Sequence, residues 1–275
     1  MNGRGTQGAR RLWILLALLG LGFLAPGLLA PWIAPHDPFA LDLALSLAPP
    51  SAAYPLGHDE QGAGIFSRLI YGARISLMVG LAAVTVSAVI GVLLGLVAGY
   101  LGGWVDLFLM RLVDVFLAFP GLLLAIALVA VMGPGLTNVI IALSALGWTA
   151  FARLARGQVL VVRAEEHVLA AQALGAGAWR VMLRHILPNI LAPLLVQASF
   201  AIAAAILAEA TLSFLGLGAP PGTPSWGAML SDGKHVLLEA PHVSIPPGAA
   251  IMGVVLAFNM LGDTLGDLLD PKRKR

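Results

Sequence analysis

Cysteine is absent from all 275 residues, and only 11% of them are Asp, Glu, Lys or Arg. The first absence excludes a disulfide framework and thiolate metal sites, and says little about compartment. The second excludes an ordinary soluble domain, which carries about 25% charged residues. A net charge of +2 is too small to imply nucleic acid. Catalytic signatures are missing as well. There is no G-x-x-x-x-G-K-[ST] phosphate loop, so the chain does not bind ATP in the usual P-loop manner, and neither H-E-x-x-H nor G-x-S-x-G occurs. The six histidines (His36, His58, His167, His185, His235 and His242) are scattered over loops without ligand spacing. No nucleophile–base pair, metal site or resident cofactor is expected.

What the chain has instead is apolar length. Hydrophobic residues make up 59% of it, the mean hydropathy is +0.91, and the apolar residues come in runs long enough to cross a bilayer. The class is an all-α polytopic membrane protein with one membrane domain. Residues 1–11 carry Arg4, Arg10 and Arg11 without an acid, and Leu12 to Ala34 runs without charge. A cytoplasmic N-terminus followed by a first span fits this better than a cleaved signal peptide, whose apolar core is shorter. Residues 35–74 form a polar extracytoplasmic loop. Its second half, PLGHDEQGAGIFSRLIYGARISL, places Ile65, Leu69 and Ala73 at helical spacing. That pattern suits either a short amphipathic helix on the membrane surface or an early start to the second span.

Residues 75–268 hold the remaining five spans. Gly80, Gly91, Gly95 and Gly99 in the second imply close packing inside a bundle. The third starts near Trp104, includes Asp106, Arg111 and Asp114, and ends at Gly133-Pro134-Gly135; Arg111 and Asp114, three apart, can pair. The fourth runs from Leu136 to Leu160. The fifth, Ile190 to Leu217, carries Gln197 and Glu209, and the sixth, from Gly248, carries Asn259. A basic tail, 269–275, follows. With both termini inside, thirteen of the sixteen Lys and Arg lie at the cytoplasmic face, leaving Arg68, Arg74 and Lys234 outside.

Between the fourth and fifth spans, 163–189 is the one long polar interruption in the second half. Ala170, Ala171, Ala173, Gly175, Ala176, Gly177 and Ala178 give it almost no side-chain relief, so another backbone can approach. Trp179 is an anchor of the kind enriched at interfaces. Arg180 and Arg184, four apart, share one helical face, Glu166 lies upstream, and Pro188 is expected to end a second short helix before the fifth span. Docking of a partner and simple contact with lipid head groups both fit. Glu209, mid-span, costs about 2.5–3.5 kcal/mol to insert and should face a wet path or brace two helices. Asp114, Arg111 and Asn259 are the other intramembrane polar candidates.

Here the residues become recognisable. LAAQALGAGAWRVMLRHILPN resembles the cytoplasmic EAA loop of ABC importer permeases, with Ala170, Ala171, Gly175, Leu187 and Pro188 in register. PLGHDEQGAGIFSRLIYGARISL, MRLVDVFLAFPGLLLAI, AEATLSFLGLGAPPGTPSWGAML and VLAFNMLGDTLGDLLDP are similar to the peptide/nickel branch, specifically its second, C-type subunit. Leu169 stands where the loop's glutamate would be and His185 in an isoleucine slot, and His58, Ala63 and Gly64 replace Thr, Arg and Asp in the external motif. The resemblance implies a type I ABC importer permease (MetI-like) bundle in the cell membrane. It implies a homologous permease subunit, two ATP-binding subunits that hold the ATP and Mg, and an extracytoplasmic solute-binding protein. The ATPases would dock on Glu166, Ala170, Ala171, Gly175, Trp179, Arg180 and Pro188. A rival from another class is a proton-coupled secondary transporter using Asp114, Arg111 and Glu209, although no inverted repeat of the kind such folds show is visible.

Overall fold

The computed structural model describes residues 12–17 and 19–269. Arg4, Arg10 and Arg11, and the basic tail beyond Leu269, lie outside the described residues. Among those described, every regular element is helical, and the nearest approach to a sheet is a single bridge between His58 and Gly64.

The first apolar helix, α1, covers Leu12–Leu28 and widens into a π-turn at Gly20–Leu24. The expected span to Ala34 is broken at Leu29, where the backbone leaves helical values before a further turn, Ala30–Ile33, that Pro31 helps start. A loop then leads into α2 (Ile65–Leu101), a helix of 37 residues. At 1.5 Å per residue it is about 55 Å long, well beyond a hydrocarbon core of about 30 Å. Of the two readings of Ile65–Arg74, the structure therefore has the early start: no break separates it from the span.

The third expected span is not one rod. Helices α3 (Gly103–Leu117) and α4 (Gly121–Met132) meet at 84°. Pro120 explains the break, because it has no N–H to continue the ladder and it pushes Phe119 out of the helical region. Helix α5 (Leu136–Val162) returns alongside α2. The glycine stripe of α2 faces it: a Cβ on Gly91 would lie 2.3 Å from the Trp148 carbonyl oxygen, and one on Gly95 would lie 2.5 Å from that of Ala152. Only glycine permits two helix backbones to come this close.

A short helix, α6 (Glu166–Ala173), precedes α7, which runs from Ala178 to Phe214. Pro188 does not stop it. The turn before it, Met182–Ile186, opens into a π-turn whose wider ring closes from the Leu187 N–H to the Met182 carbonyl. That widening accommodates the proline's missing donor and bulk. Helices α8 (Trp226–Gly233) and α9 (Pro241–Leu269) complete the fold. The last helix begins seven residues before the expected Gly248, carrying Pro246 and Pro247 inside it. Among the described residues, four helices (α2, α5, α7 and α9) are long and apolar enough to cross a membrane, or five spans if the bent pair α3–α4 counts as one. 

The ion pairs lie toward the two ends of the bundle. At one end Arg156 chelates Asp106 with both Nε and Nη2, Arg153 Nη2 donates to Asp114 at 2.8 Å, and Arg163 Nη1 donates to the Gly99 carbonyl at 2.8 Å. The Arg111–Asp114 pair expected from spacing does not form, because Arg153 of α5 takes the Asp114 carboxylate across the helix interface. At the other end Arg68 is buried against Asp59, with Asp232 3.9 Å away.

Candidate functional site: the loop at 163–189 and the bundle it serves

Helix α6 is seated from below by Val168, which is fully buried with Val162, Val181, Met182 and Ile186. Glu166 lies in its first turn, where a negative charge complements the exposed N–H groups. Its end is a Schellman turn: the Ala176 N–H reaches the Ala171 carbonyl at 3.1 Å and the Gly175 N–H that of Gln172 at 2.9 Å. The turn needs a left-handed residue, and Gly175 supplies it at φ +81°. Side chains then tie the segment down. Gln172 Nε2 donates to the Tyr100 hydroxyl at 3.3 Å, and Asn189 Nδ2 donates to the His185 carbonyl at 2.7 Å.

With the inward face committed, the outward face carries large apolar side chains among polar ones. Leu174 is 89% exposed, Trp179 56% and Leu169 51%, and Ala170, Gly175 and Arg180 are exposed beside them. Of the expected docking residues, Ala171 turns inward, and Pro188 follows the π-turn near the base of α7. Leu169, where the loop glutamate would be, adds apolar area to this face.

Inside the bundle, Glu209 is fully buried. Its Oε2 accepts from Ser76 Oγ of α2 at 2.8 Å, and its Oε1 from Ser213 Oγ, one turn on, at 2.7 Å. Ser213 in turn accepts from the Ala219 N–H at 3.3 Å. Asn259 donates to its own helix at the Val255 carbonyl, 2.8 Å away. Neither residue lines the large cavity of the bundle. That cavity, about 320 Å³, lies among α2, α4, α5 and α7 and is walled mainly by Ala, Gly and Leu. Gln197 and Ser87 are the polar side chains on it. Among the described residues no hydrogen bond joins any two of Glu209, Asn259 and Asp114.

Sequence reasoning passed over the Asp106–Arg156 chelate and the Asp59–Arg68 pair. The first had a signal: two acids on α3, at 106 and 114, and two arginines on α5, at 153 and 156, come in the order in which antiparallel helices pair them. The second had none, since Asp59 comes from a loop.

Asp59 Oδ1 accepts the Gln61 and Ala63 N–H groups, both at 2.9 Å, which shapes the turn that presents its other oxygen to Arg68. On the facing α8, burial pushes the Asp232 carboxyl above its ordinary value of 3.8, and the Arg68 charge partly offsets this.

Comparisons with known proteins agree with this arrangement. Residues 91–275 match the family described as binding-protein-dependent transport system inner membrane component. The chain is 46% identical over 263 residues to the dipeptide transport system permease protein DppC of Alkalihalophilus pseudofirmus, covering 94% of this chain and 86% of that one. It is 43% identical over 274 residues to the probable D,D-dipeptide transport system permease protein DdpC of Escherichia coli K12, covering 97% and 92%. It is 50% identical over 225 residues to the glutathione transport system permease protein GsiD of Pectobacterium atrosepticum, covering 82% and 75%. Among solved structures, a chain of the MetNI methionine ABC transporter in inward-facing conformations superposes with a TM-score of 0.57 at 17% identity, over 74% of this chain and 96% of that one. That likeness is one of fold.

Proposed function

This chain belongs to the family of binding-protein-dependent transport system inner membrane components, and from that premise we propose that it forms half of the pore through which an ATP-driven importer passes short peptides. The chain is a permease and not an enzyme. A homologous subunit completes the pore, two ATP-binding subunits seat on the loop 163–189, and an extracytoplasmic binding protein delivers substrate to the opposite end. The bundle spans the membrane six times, α1 and the α3–α4 pair each counting once, with both termini in the cytoplasm. The dipeptide, D,D-dipeptide and glutathione named for the relatives support a substrate among small molecules with peptide bonds.

The observation that carries this reading is the loop itself. Its inner face is locked into the bundle through Val168, while its outer face leaves Leu169, Leu174 and Trp179 uncovered. Apolar side chains so exposed, on a segment so firmly anchored, suit transmission of force from a soluble motor. The proton-coupled reading finds no support: Asp114 is held by Arg153 and Glu209 by two serines, and neither contact links one acid to the other.

Uptake into proteoliposomes holding the assembled transporter tests this. Peptide accumulation should follow ATP and persist with a protonophore present. Collapse of uptake with the proton gradient, at constant ATP, would overturn it.

A further inference from the structure

The cavity among α2, α4, α5 and α7 is unlike a packing defect. At about 320 Å³ it reaches the lower end of the ~300–1,000 Å³ range of ligand sites. On α7 its wall repeats at 197, 201, 204, 205 and 208, one face of the helix, and after Gln197 each of those positions is alanine. Gly121 and Gly147 extend the same smooth surface from α4 and α5.

Two polar side chains reach this space. The Ser87 hydroxyl donates to the Ser144 carbonyl at 3.4 Å and is hemmed in by Gly147, whose Cβ, if it had one, would lie 2.5 Å from the oxygen. Gln197 is different. Its carboxamide has no hydrogen-bond partner among the described residues. It stands on α7 about two turns past Ile190, where the fifth span is expected to begin, and it is half-buried. Its amide is open to the cavity and can meet a group that supplies both a donor and an acceptor.

We propose that Gln197 is the substrate contact of this half-pore, and that it reads the peptide backbone rather than the side chains. The N–H and C=O of one extended residue point to the same side of the chain, as they do in an antiparallel pair. A carboxamide matches both, accepting from the N–H and donating to the carbonyl or terminal carboxylate. Apart from Ser87, the rest of the wall is alanine, glycine, leucine, valine and phenylalanine, so it makes no hydrogen bond or ion pair with whatever side chain the peptide carries. Weak, backbone-directed contact in a smooth passage suits a site that must release what it binds. Side-chain choice then falls to the binding protein.

The inference rests on the proposed peptide import, and the experiment keeps the two apart. The complete transporter, with its binding protein, is reconstituted with wild-type chain, Gln197→Asn or Gln197→Leu. Uptake of alanyl-alanine, D-alanyl-D-alanine and glutathione is measured together with ATP hydrolysis. For each peptide that wild type imports, an analogue N-methylated at its peptide bond is measured beside it.

Wild type should import at least one of the three with ATP and prefer it to its N-methylated form. Gln197→Leu should lose roughly tenfold in uptake, the worth of about one buried hydrogen bond. It should also lose the preference against N-methylation, while ATP hydrolysis stimulated by the binding protein stays within twofold of wild type. Gln197→Asn should fall between. Because the binding protein is common to all arms, a change in preference belongs to the permease.

Three results overturn the inference alone. Gln197→Leu transports like wild type with its preference intact, as it would if an acyl chain or the facing subunit fills the cavity. Uptake and stimulated hydrolysis fall together, the signature of a structural role. Or uptake falls while the preference persists. ATP-driven import of none of the three peptides by wild type overturns the functional reading and this inference with it.

Discussion

Glu209 shows how a single buried acid is accommodated. Each carboxylate oxygen accepts from one serine hydroxyl, Ser76 on α2 and Ser213 on its own helix, so the group braces two spans. Gln preserves the shape, and both serine hydroxyls can rotate to suit it. Leu strands two hydroxyls at about 1–3 kcal/mol each. Glu209→Gln should therefore keep most uptake and thermal stability, and Glu209→Leu should lose both; equal melting and equal uptake would remove the brace. Asp232 makes a second prediction, in pH. Its folded-state pKa is raised by burial, so the folded state holds the proton more tightly than the unfolded chain. Its favourable contribution is complete below the ordinary value of 3.8 and is lost as pH rises through the raised value. Asp232→Asn should flatten that loss, seen as melting temperatures of wild type and variant that converge toward acidic pH and separate above it, the variant higher. Parallel profiles would contradict it.

Helix pairs follow from the smallest residues. On α2, Gly91, Gly95 and Gly99 recur every fourth position and bring the backbone of α5 within van der Waals reach. Gly95→Val places methyl groups where the Ala152 carbonyl and Ala155 Cβ already lie. It should prevent close packing and lower accumulation of folded chain several-fold, measured by detergent-stable monodisperse protein. Unchanged accumulation would deny the close contact. This stripe was legible in the sequence because glycine spacing maps directly onto one helix face. The prolines were not. Pro188 read as a helix end and Pro246–Pro247 fell before the expected start of the sixth span, yet both lie within continuous helices, since tertiary packing and a π-turn absorb the missing donor. Pro120 did break its helix, inside a segment whose composition gave an unbroken apolar run. The Asp114 pairing went astray for a related reason: local spacing favoured Arg111, but a neighbour on another helix carried the better-placed guanidinium.

At the scale of the whole molecule the bundle is a relay between two ends. One end is tied by the buried Asp59–Arg68 pair and α8, the other by Asp106–Arg156, Arg163 and the loop 163–189. The loop's existence and its lack of side-chain relief were legible in its composition. Its inner anchoring was not, because which of Val168, Ala170 and Ala171 faces inward depends on how α6 lies on α7. Gly175→Arg strains a left-handed position, at a cost of about 1–2 kcal/mol, and sets a charge on the docking face. Trp179→Ala removes the largest exposed anchor there. Both should leave the chain inserted and assembled with its partner permease while uptake falls at least about tenfold; normal uptake by either would place the motor contact elsewhere.

The absence of cysteine makes the central claim directly measurable, because any introduced thiol is unique in the chain. Leu174→Cys, on the outward face of the loop, and Leu238→Cys, at the opposite end and 98% exposed, are each treated with a short bifunctional crosslinker in the assembled transporter. The account predicts that the thiol at 174 captures an ATP-binding subunit and the thiol at 238 does not. Capture of that subunit from 238, or its absence from 174, would contradict it.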